Sequence, residues 1–329
     1  MSATRDPRPD FLVVGAPKAG TSALHAALAG HPDIHLTSPA APHLKEPKYY
    51  LCDDVPPPSY RGPGDAHSNR EWVWRRDDYE ALFAAAPEGA VRGESTPFYL
   101  WSSTARRRIV EELPGVRLVV VLRDPVDRAY SNWMHLWSDG LEPDADFLSA
   151  FRREDERVAA GWAPFWRYRG LGLYGRQLAD LYSRVDREQV LVLRYRELVD
   201  APGATLDRVS QFIGVAPGVV TRIPPDNHRP YVTPGARAAL LGRAVRTGAT
   251  LGAFTHPQRW RQLSRPLVRA LQADRGTPRP RLQPEHRAQL LASFADDIEL
   301  LEQVTGASFA DWRSHDDRGS FAARQRAHS

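Results

Sequence analysis

The sequence is poor in the residues that support several classes of protein and site. Its 329 residues include one cysteine, Cys52, which excludes an intrachain disulfide and a cysteine-based zinc site. No apolar run approaches the roughly 18 residues that a membrane-spanning helix needs. The segment from Met1 to Asp10 is polar and lacks the apolar core of a signal peptide. We therefore expect a cytoplasmic protein without a membrane span.

Lysine is also scarce. Of 44 basic residues only Lys18, Lys45 and Lys48 are lysines, and all three lie near the N-terminus. Lysine is a compact, movable point charge, whereas arginine is a rigid planar fork. A lysine in a glycine-rich segment of an arginine-rich chain therefore indicates a small anionic group held by a tight loop, with compositional drift as the alternative. The net charge of +4 suits an anionic ligand without implying nucleic acid.

The segment around Lys18 has the pattern of an anion-binding loop. Phe11 to Val14 predicts a buried strand, Gly15 to Gly20 a tight loop, and Thr21 to Ala29 a helix. Backbone N–H groups and the helix dipole at such a helix start attract a phosphate. Lys18 precedes the second glycine instead of following it, which departs from the loop of the nucleotide triphosphatases. An ATPase or GTPase is therefore not favoured.

Strand and helix patterns alternate through the first two thirds of the chain. The strongest strand pattern, Arg117 to Leu122, runs directly into Arg123-Asp124-Pro125 and a helix pattern ending at Trp137. This alternation predicts a parallel sheet with helices on both faces, and ligands then bind at the carboxyl ends of the strands. We expect one α/β domain over residues 11–315, with flexible ends at residues 1–10 and 316–329. The sequence does not indicate an oligomeric state.

Three predictions concern the C-terminal third. An amphipathic pattern predicts one long closing helix from about Pro284 to Val304. The arginine- and proline-rich segment from Arg259 to Arg287 is interpreted as a solvated connection before that helix, with binding to a polyanion or a membrane surface as the alternative. Residues 227–237 are a candidate loop for closing over a ligand.

Two further groups of residues carry chemistry. Arg123 leaves a predicted strand and can bind a phosphate with its fork, while Ser131 and His135 are four residues apart and share a helix face. Two anion sites after two parallel strands suit a nucleotide with two separate phosphates. The alternatives are an ordinary helix histidine at 135 and an ion pair of Arg128 with Asp124 or Asp127.

The third group contains a candidate base. Glu46 is a carboxylate flanked by Lys45 and Lys48, which is typical of a general base near an anion; a surface ion cluster is the alternative. The segment from Gly93 to Leu100, which contains Glu94, is by itself only a strand end followed by a turn.

Together these segments resemble the sulfotransferases that use 3′-phosphoadenosine 5′-phosphosulfate, and most closely the bacterial enzymes related to heparan sulfate sulfotransferase domains. Pro17 to Ser22 is similar to their 5′-phosphosulfate loop, and Arg123 to Ser131 to their 3′-phosphate site. Lys45-Glu46-Pro47 is similar to the segment that supplies the catalytic glutamate, and Gly93 to Leu100 to a further family segment. The likeness reaches Asp311-Trp312.

The resemblance implies a single-domain nucleotide-loop (P-loop-like) sulfotransferase fold and a set of roles. Glu46, Lys18 and His135 are the expected catalytic residues. The expected donor-binding residues are Lys18, Ala19, Gly20, Thr21, Ser22, Arg123 and Ser131. No metal is expected, and the acceptor is expected to be a small molecule or carbohydrate.

Some positions depart from the family pattern. The heparan-type enzymes often place arginine or lysine where Ser22 and Ser95 stand, and an acidic residue where Leu51 stands. These positions contact the acceptor in the relatives, so a highly sulfated glycosaminoglycan is not implied. A sugar, a glycolipid or a secondary metabolite fits. The rival functions are a nucleotide-dependent small-molecule kinase and a non-catalytic anion-binding module.

Overall fold

The computed structural model describes residues 8–37, 44–63, 72–224, 230–251, 257–273 and 280–313. Within these ranges five strands form one parallel sheet in the order β2-β3-β1-β4-β5. The strands are Phe11–Gly15 (β1), Ile34–Leu36 (β2), Val91–Glu94 (β3), Arg117–Leu122 (β4) and Val190–Arg194 (β5). The predicted parallel sheet is therefore confirmed.

Helices cover the sheet and extend beyond it. In the described ranges they are Thr21–Leu28 (α1), Arg76–Ala81 (α2), Ser103–Glu112 (α3), Pro125–Ser138 (α4), Phe147–Arg152 (α5), Glu154–Ala159 (α6), Tyr174–Tyr182 (α7), Tyr195–Asp200 (α8), Pro202–Ile213 (α9), Ala236–Leu251 (α10), Pro257–Leu271 (α11), Pro284–Ala292 (α12), Ala295–Thr305 (α13) and Ala310–Arg313 (α14).

The centre of the sheet is the centre of the core. All five residues of β1 are buried, and so are Leu118 to Leu122 of β4, because parallel strands covered by helices on both faces need apolar side chains on both faces. The two strands pair with Leu12 beside Leu118. Because β1, β3 and β4 are parallel neighbours, the segments that follow Gly15, Glu94 and Leu122 meet at one edge of the sheet.

The predicted long closing helix is wrong, because the chain breaks it into α12 and α13 at Phe294. The Phe294 ring is buried against Phe151. The Asp297 carboxylate accepts hydrogen bonds from the backbone N–H groups of Gly175 and Arg176 at 2.8 and 3.0 Å. These contacts hold α13 against α7. The two helices are so close at Gly175 that a Cβ on this residue would lie 2.2 Å from the Asp297 carbonyl oxygen.

The interpretation of Arg259 to Arg287 as a solvated connection is also wrong for most of the segment. Residues 257–271 form α11, which packs against α10, and residues 284–292 form α12. No helix in the described ranges is both long and apolar enough to cross a membrane. The predicted C-terminal tail, most of the predicted N-terminal one and residues 227–229 of the candidate closing loop lie outside the described residues.

Candidate active site

The loop after β1 leads directly into the start of α1. Gly20 is the residue before the helix and has a φ of 93°, a left-handed conformation that glycine adopts without strain. A Cβ at Gly20 would lie 2.9 Å from a ring carbon of Tyr195, so the backbone and this ring are in close approach. No side chain caps α1. The first backbone N–H groups of the helix, at Thr21 and Ser22, are therefore donors of the kind that bind anions.

Lys18 joins this loop to α4. Its ammonium lies 3.1 Å from Nδ1 of His135, and Arg123 donates a hydrogen bond to its carbonyl oxygen at 3.3 Å. Because an ammonium can only donate, Nδ1 of His135 is the acceptor and the imidazole hydrogen is on Nε2. That nitrogen lies 3.5 Å from the Asp139 carboxylate. Lys18, His135 and Asp139 thus form a chain of contacts from the loop to the end of α4.

One stripe of α4 reaches the surface. Asp127, Ser131, His135 and the flanking residue Asp139 are at least partly exposed, whereas the helix is otherwise buried from Pro125 to Ser138. Their spacing of four residues places them along one helix face. Ser131 therefore lies on the same face as His135, one turn nearer to the end of β4. The structure brings the predicted residues Lys18, Ser131 and His135 to one region.

Arg123 stands between the loop and α8. Its guanidinium lies 4.7 Å from the ring centre of Tyr195, in a cation–π contact that fixes the plane of the fork beside the loop. The alternative pairing of Arg128 with Asp124 or Asp127 is wrong. Arg128 is buried and donates to Asn132 at 3.0 Å, while Arg287 of α12 pairs with both aspartates.

The segment containing Glu46 is tethered to the start of α1. The Lys45 ammonium donates to the Ser22 hydroxyl at 2.8 Å and to the Glu46 carboxylate at 3.2 Å. Burial disfavours the charged form of Glu46, but Lys45 and Lys48 outweigh it and hold the pKa of Glu46 below its ordinary value. The carboxylate is therefore ionised at neutral pH, and its side chain remains 28% exposed.

Glu94, the competing carboxylate, lies in a different environment. It is fully buried, and it accepts hydrogen bonds from the hydroxyls of Thr96 at 2.8 Å and Tyr79 at 3.3 Å. Burial raises the pKa of Glu94 to about 7, although these hydrogen bonds and one with Tyr99 oppose the shift. Thr96 also accepts a hydrogen bond from the Lys48 backbone, which connects the end of β3 to the Glu46 segment. Glu94 therefore supports this segment from within the core.

The two serines that depart from the family pattern both have side-chain partners. Ser22 accepts from Lys45, and the Ser95 hydroxyl lies 2.9 Å from Nδ1 of His25. Burial, with a smaller effect of Lys45, lowers the pKa of His25 to about 4, so this imidazole is neutral at physiological pH. Neutral polar groups therefore occupy both positions.

Sequence reasoning missed three residues that border this region. Asp139 could have been found, because it continues the four-residue spacing of Ser131 and His135 by one more step. Tyr195 and Phe165 carry no local signal. Tyr195 reaches Arg123 from the start of α8, and the Phe165 ring lies edge-on to His135 with 5.5 Å between the ring centres. Both contacts depend on tertiary structure.

The arrangement fits a nucleotide with two separate phosphate groups. The start of α1 has no side-chain cap, and Arg123 donates to the carbonyl oxygen of Lys18 in the loop before it. Ser131 lies on the partly exposed face of α4. Among the described residues there is no cluster of three or more metal-binding side chains. A carboxylate, an ammonium and helix N–H groups thus meet at the carboxyl edge of a parallel sheet, where α/β proteins typically bind their ligands.

Comparison with known proteins identifies the class. A sequence profile of the sulfotransferase family matches residues 9–217, and the chain belongs to this family. It is 28% identical over 208 residues to heparan sulfate glucosamine 3-O-sulfotransferase 3A1 of Mus musculus, covering 63% of this chain and 46% of that protein. It is 27% identical over 302 residues to heparan sulfate glucosamine 3-O-sulfotransferase 6 of Mus musculus, covering 92% and 73%.

A solved structure agrees over almost the whole fold. The sulfotransferase from Alicyclobacillus acidocaldarius superposes with a TM-score of 0.70 at 28% identity, covering 93% of this chain and 99% of that one. The match to the first curated relative, in contrast, spans about half of that protein's length. The family match confirms the predicted sulfotransferase family, and the structural match confirms the predicted P-loop-like sulfotransferase fold.

Proposed function

We propose that this protein transfers a sulfuryl group from 3′-phosphoadenosine 5′-phosphosulfate to a hydroxyl of a sugar, a glycolipid or a secondary metabolite. The observation that carries the proposal is the tether between the candidate base and the donor loop. Lys45 contacts both Glu46 and Ser22, so the carboxylate and the start of α1 are held together. When bound, the donor supplies the sulfuryl group and a bisphosphate leaving group.

Glu46 is the proposed general base. A base must be ionised before it can accept the acceptor's proton, and the low pKa of Glu46 meets that requirement. A base must also contact an acceptor that enters from solvent, and the Glu46 side chain is partly exposed. A positioned base of this kind typically contributes about 10²–10⁴ in rate. Glu94 meets neither requirement, because it is fully buried and its pKa is raised.

Lys18 is the proposed charge-stabilising residue for the leaving phosphate, and His135 its proposed partner at the transfer site. The contact between them holds the ammonium on the α4 side of the loop. Asp139 is a positioning residue in this proposal. It faces Nε2 of His135 and so favours the tautomer in which Nδ1 accepts from Lys18.

The remaining residues are proposed to bind the nucleotide. The backbone of Ala19, Gly20, Thr21 and Ser22, with the hydroxyls of the last two, would hold the 5′-phosphate, as helix starts commonly do. Arg123 and Ser131 would hold the 3′-phosphate. The contact of Arg123 with Tyr195 keeps its fork oriented before any ligand binds.

The proposal is tested with a panel of hydroxyl acceptors and isotopically labelled donor, read as a mass increase of the acceptor. Transfer of label in the presence of a metal chelator supports it. Transfer of phosphate from ATP that needs magnesium would instead indicate a small-molecule kinase. Nucleotide binding with no donor consumption across sugars, glycolipids and secondary metabolites would indicate an anion-binding module.

A further inference from the structure

Positive charge is concentrated in one part of the chain. From residue 227 to residue 273 there is no aspartate or glutamate, while eight arginines occur. The rest of the chain holds 36 basic and 40 acidic residues and is therefore net negative. This acid-free segment contains α10 and α11, which we call the arginine helix pair. It lies beyond the residues matched by the family profile.

The arginine helix pair is anchored next to the candidate site. Arg237 at the start of α10 donates to the carbonyl oxygen of Ala270 at the end of α11, so the two helices are antiparallel. Arg246 donates to the Gly140 carbonyl oxygen at 3.0 Å, just past the end of α4. Gln272 donates to the Asp139 carboxylate at 3.3 Å. Gln272 therefore connects the arginine helix pair to Asp139, whose carboxylate contacts His135.

The exposed surface of the pair combines apolar and cationic side chains. Leu240 and Leu263 are 70% and 67% exposed, more than any other large hydrophobic side chain in the described part of the protein. Arg243 follows Leu240 by one helical turn, and Arg265 and Arg269 follow Leu263 on α11. Within the described ranges these three arginines are exposed and make no ion pair or hydrogen bond.

This combination distinguishes between two anionic partners. A polyanion in water is bound through arginines alone, and two exposed leucines add no favourable free energy to that binding. A lipid surface uses both kinds of side chain, because arginines bind headgroup phosphates while apolar side chains enter the boundary between headgroups and acyl chains. The exposed leucines and the unpaired arginines occur on the same two helices.

We propose that the arginine helix pair docks the protein on an anionic lipid surface. Docking there sets the candidate site beside the membrane, because Gln272 connects the pair to Asp139. If the protein transfers a sulfuryl group as proposed above, a docked enzyme favours an acceptor whose hydroxyl is carried by a lipid. This inference about the acceptor rests on the proposed function. The docking itself does not depend on turnover.

The test is co-sedimentation of the full chain with vesicles of phosphatidylcholine, with or without phosphatidylglycerol. We expect binding to the vesicles that contain phosphatidylglycerol and little to the others, with a loss at high salt because exposed charges are screened. Arg243→Glu with Arg265→Glu should weaken binding by about tenfold or more. Leu240→Ser with Leu263→Ser should also weaken it. The charge-matched control is Arg75→Glu with Arg222→Glu, which changes two exposed arginines elsewhere and should bind like the wild type.

Circular dichroism and affinity for adenosine 3′,5′-bisphosphate report whether each variant is folded. Equal sedimentation with both kinds of vesicle, or unchanged binding of the Arg243/Arg265 variant, overturns the proposal. So does a result in which the leucine variant binds vesicles like the wild type while soluble heparin binds through the same arginines; the surface would then be a polyanion site. Because no turnover is measured, failure here leaves the proposed sulfuryl transfer intact.

Discussion

The Lys18 ammonium donates to Nδ1 of His135 across 3.1 Å, which joins the loop after β1 to the last turn of α4. The two residues are 117 positions apart in the sequence, and each follows or belongs to an element at the carboxyl edge of the same sheet. The contact makes the position of the ammonium depend on the imidazole. The proposed role of Lys18 in charge stabilisation therefore depends on His135 and, through the contact of His135 with Asp139, on that carboxylate.

Lys18→Ala should lower turnover by about 100-fold or more, because it removes a cation aimed at charge that develops in the transition state. Affinity for adenosine 3′,5′-bisphosphate should fall much less, since the backbone donors of the loop remain. Lys18→Arg should restore little activity, because the planar fork does not replace a compact ammonium in a tight loop. Steady-state kinetics and calorimetry measure the two effects. Full activity of Lys18→Arg would show that the choice of lysine over arginine has no functional meaning.

Asp139→Asn should lower kcat by about tenfold while leaving bisphosphate affinity nearly unchanged. The change removes the carboxylate that faces Nε2 of His135, and loss of such a partner from a metal-binding histidine typically costs about 10–100-fold, so we expect an effect at the lower end of that range here. Asp139→Glu should recover part of the loss. Gln272→Ala is the matched control, because it removes a different contact of the Asp139 carboxylate without touching His135. An equal loss in Gln272→Ala would indicate that Asp139 serves only to anchor α11.

Arg123→Ala should remove most of the preference for adenosine 3′,5′-bisphosphate over AMP. The loss of a charge-assisted hydrogen bond typically costs about 1.5–3 kcal/mol, which is about a 10- to 150-fold weaker complex. AMP affinity should change little. Calorimetric titration with both nucleotides gives the comparison. If wild-type protein binds AMP and the bisphosphate equally, the assignment of a 3′-phosphate site is wrong.

Relative to the Glu94→Gln variant, the wild-type protein should become less stable as pH rises. The pKa of Glu94 is raised from about 4.5 to about 7, so the folded state binds its proton more tightly than the unfolded state. The stability that Glu94 contributes is complete below about pH 4.5 and is lost as pH rises to about 7. In Glu94→Gln this loss is absent. The difference in unfolding free energy between wild type and variant should therefore change by about 2 kcal/mol between about pH 5 and pH 8.

Urea unfolding of both proteins at the two pH values measures this difference. His25, whose pKa is lowered to about 4, titrates in the opposite sense, but it is present in both proteins and largely cancels. A constant difference across this range would mean that Glu94 is not protonated preferentially in the folded state.

Continuous apolar runs and helix starts made the central part of the fold predictable. β4 has the predicted bounds, and Pro125 begins α4 as expected from its fixed φ. β2 was missed because three residues carry too little pattern. α10 was missed because its buried positions include the small residues Ala238 and Ala249, which give no apolar stripe.

The candidate site was predictable where function depends on local motifs. Lys18, Glu46, Arg123, Ser131 and His135 each lie in a recognisable segment, and the structure brings these segments to one edge of the sheet. The tether from Lys45 to Ser22 was not predictable, because it depends on the path of the chain between α1 and β3. The same is true of the stacking of Arg123 on Tyr195.

Glu46→Gln tests the proposed base most directly. The change preserves the shape of the side chain and removes the group that accepts the proton, so turnover should fall by about 10² or more. Nucleotide affinity should change little, because Lys45 can still donate to Ser22 and to the amide oxygen. In the wild type the activity should be lost only in acid, since the pKa of Glu46 lies below its ordinary value.

Glu94→Gln is the matched control, because it changes the neighbouring carboxylate in the same way. Glu94 is fully buried behind Thr96 and Tyr79, so it cannot reach an acceptor that enters from solvent. We expect this variant to keep most of its turnover, with its main effect on stability. If a folded Glu94→Gln protein is inactive while Glu46→Gln remains active, the proton acceptor lies at the end of β3, and the Lys45–Glu46 pair serves to fix the donor loop.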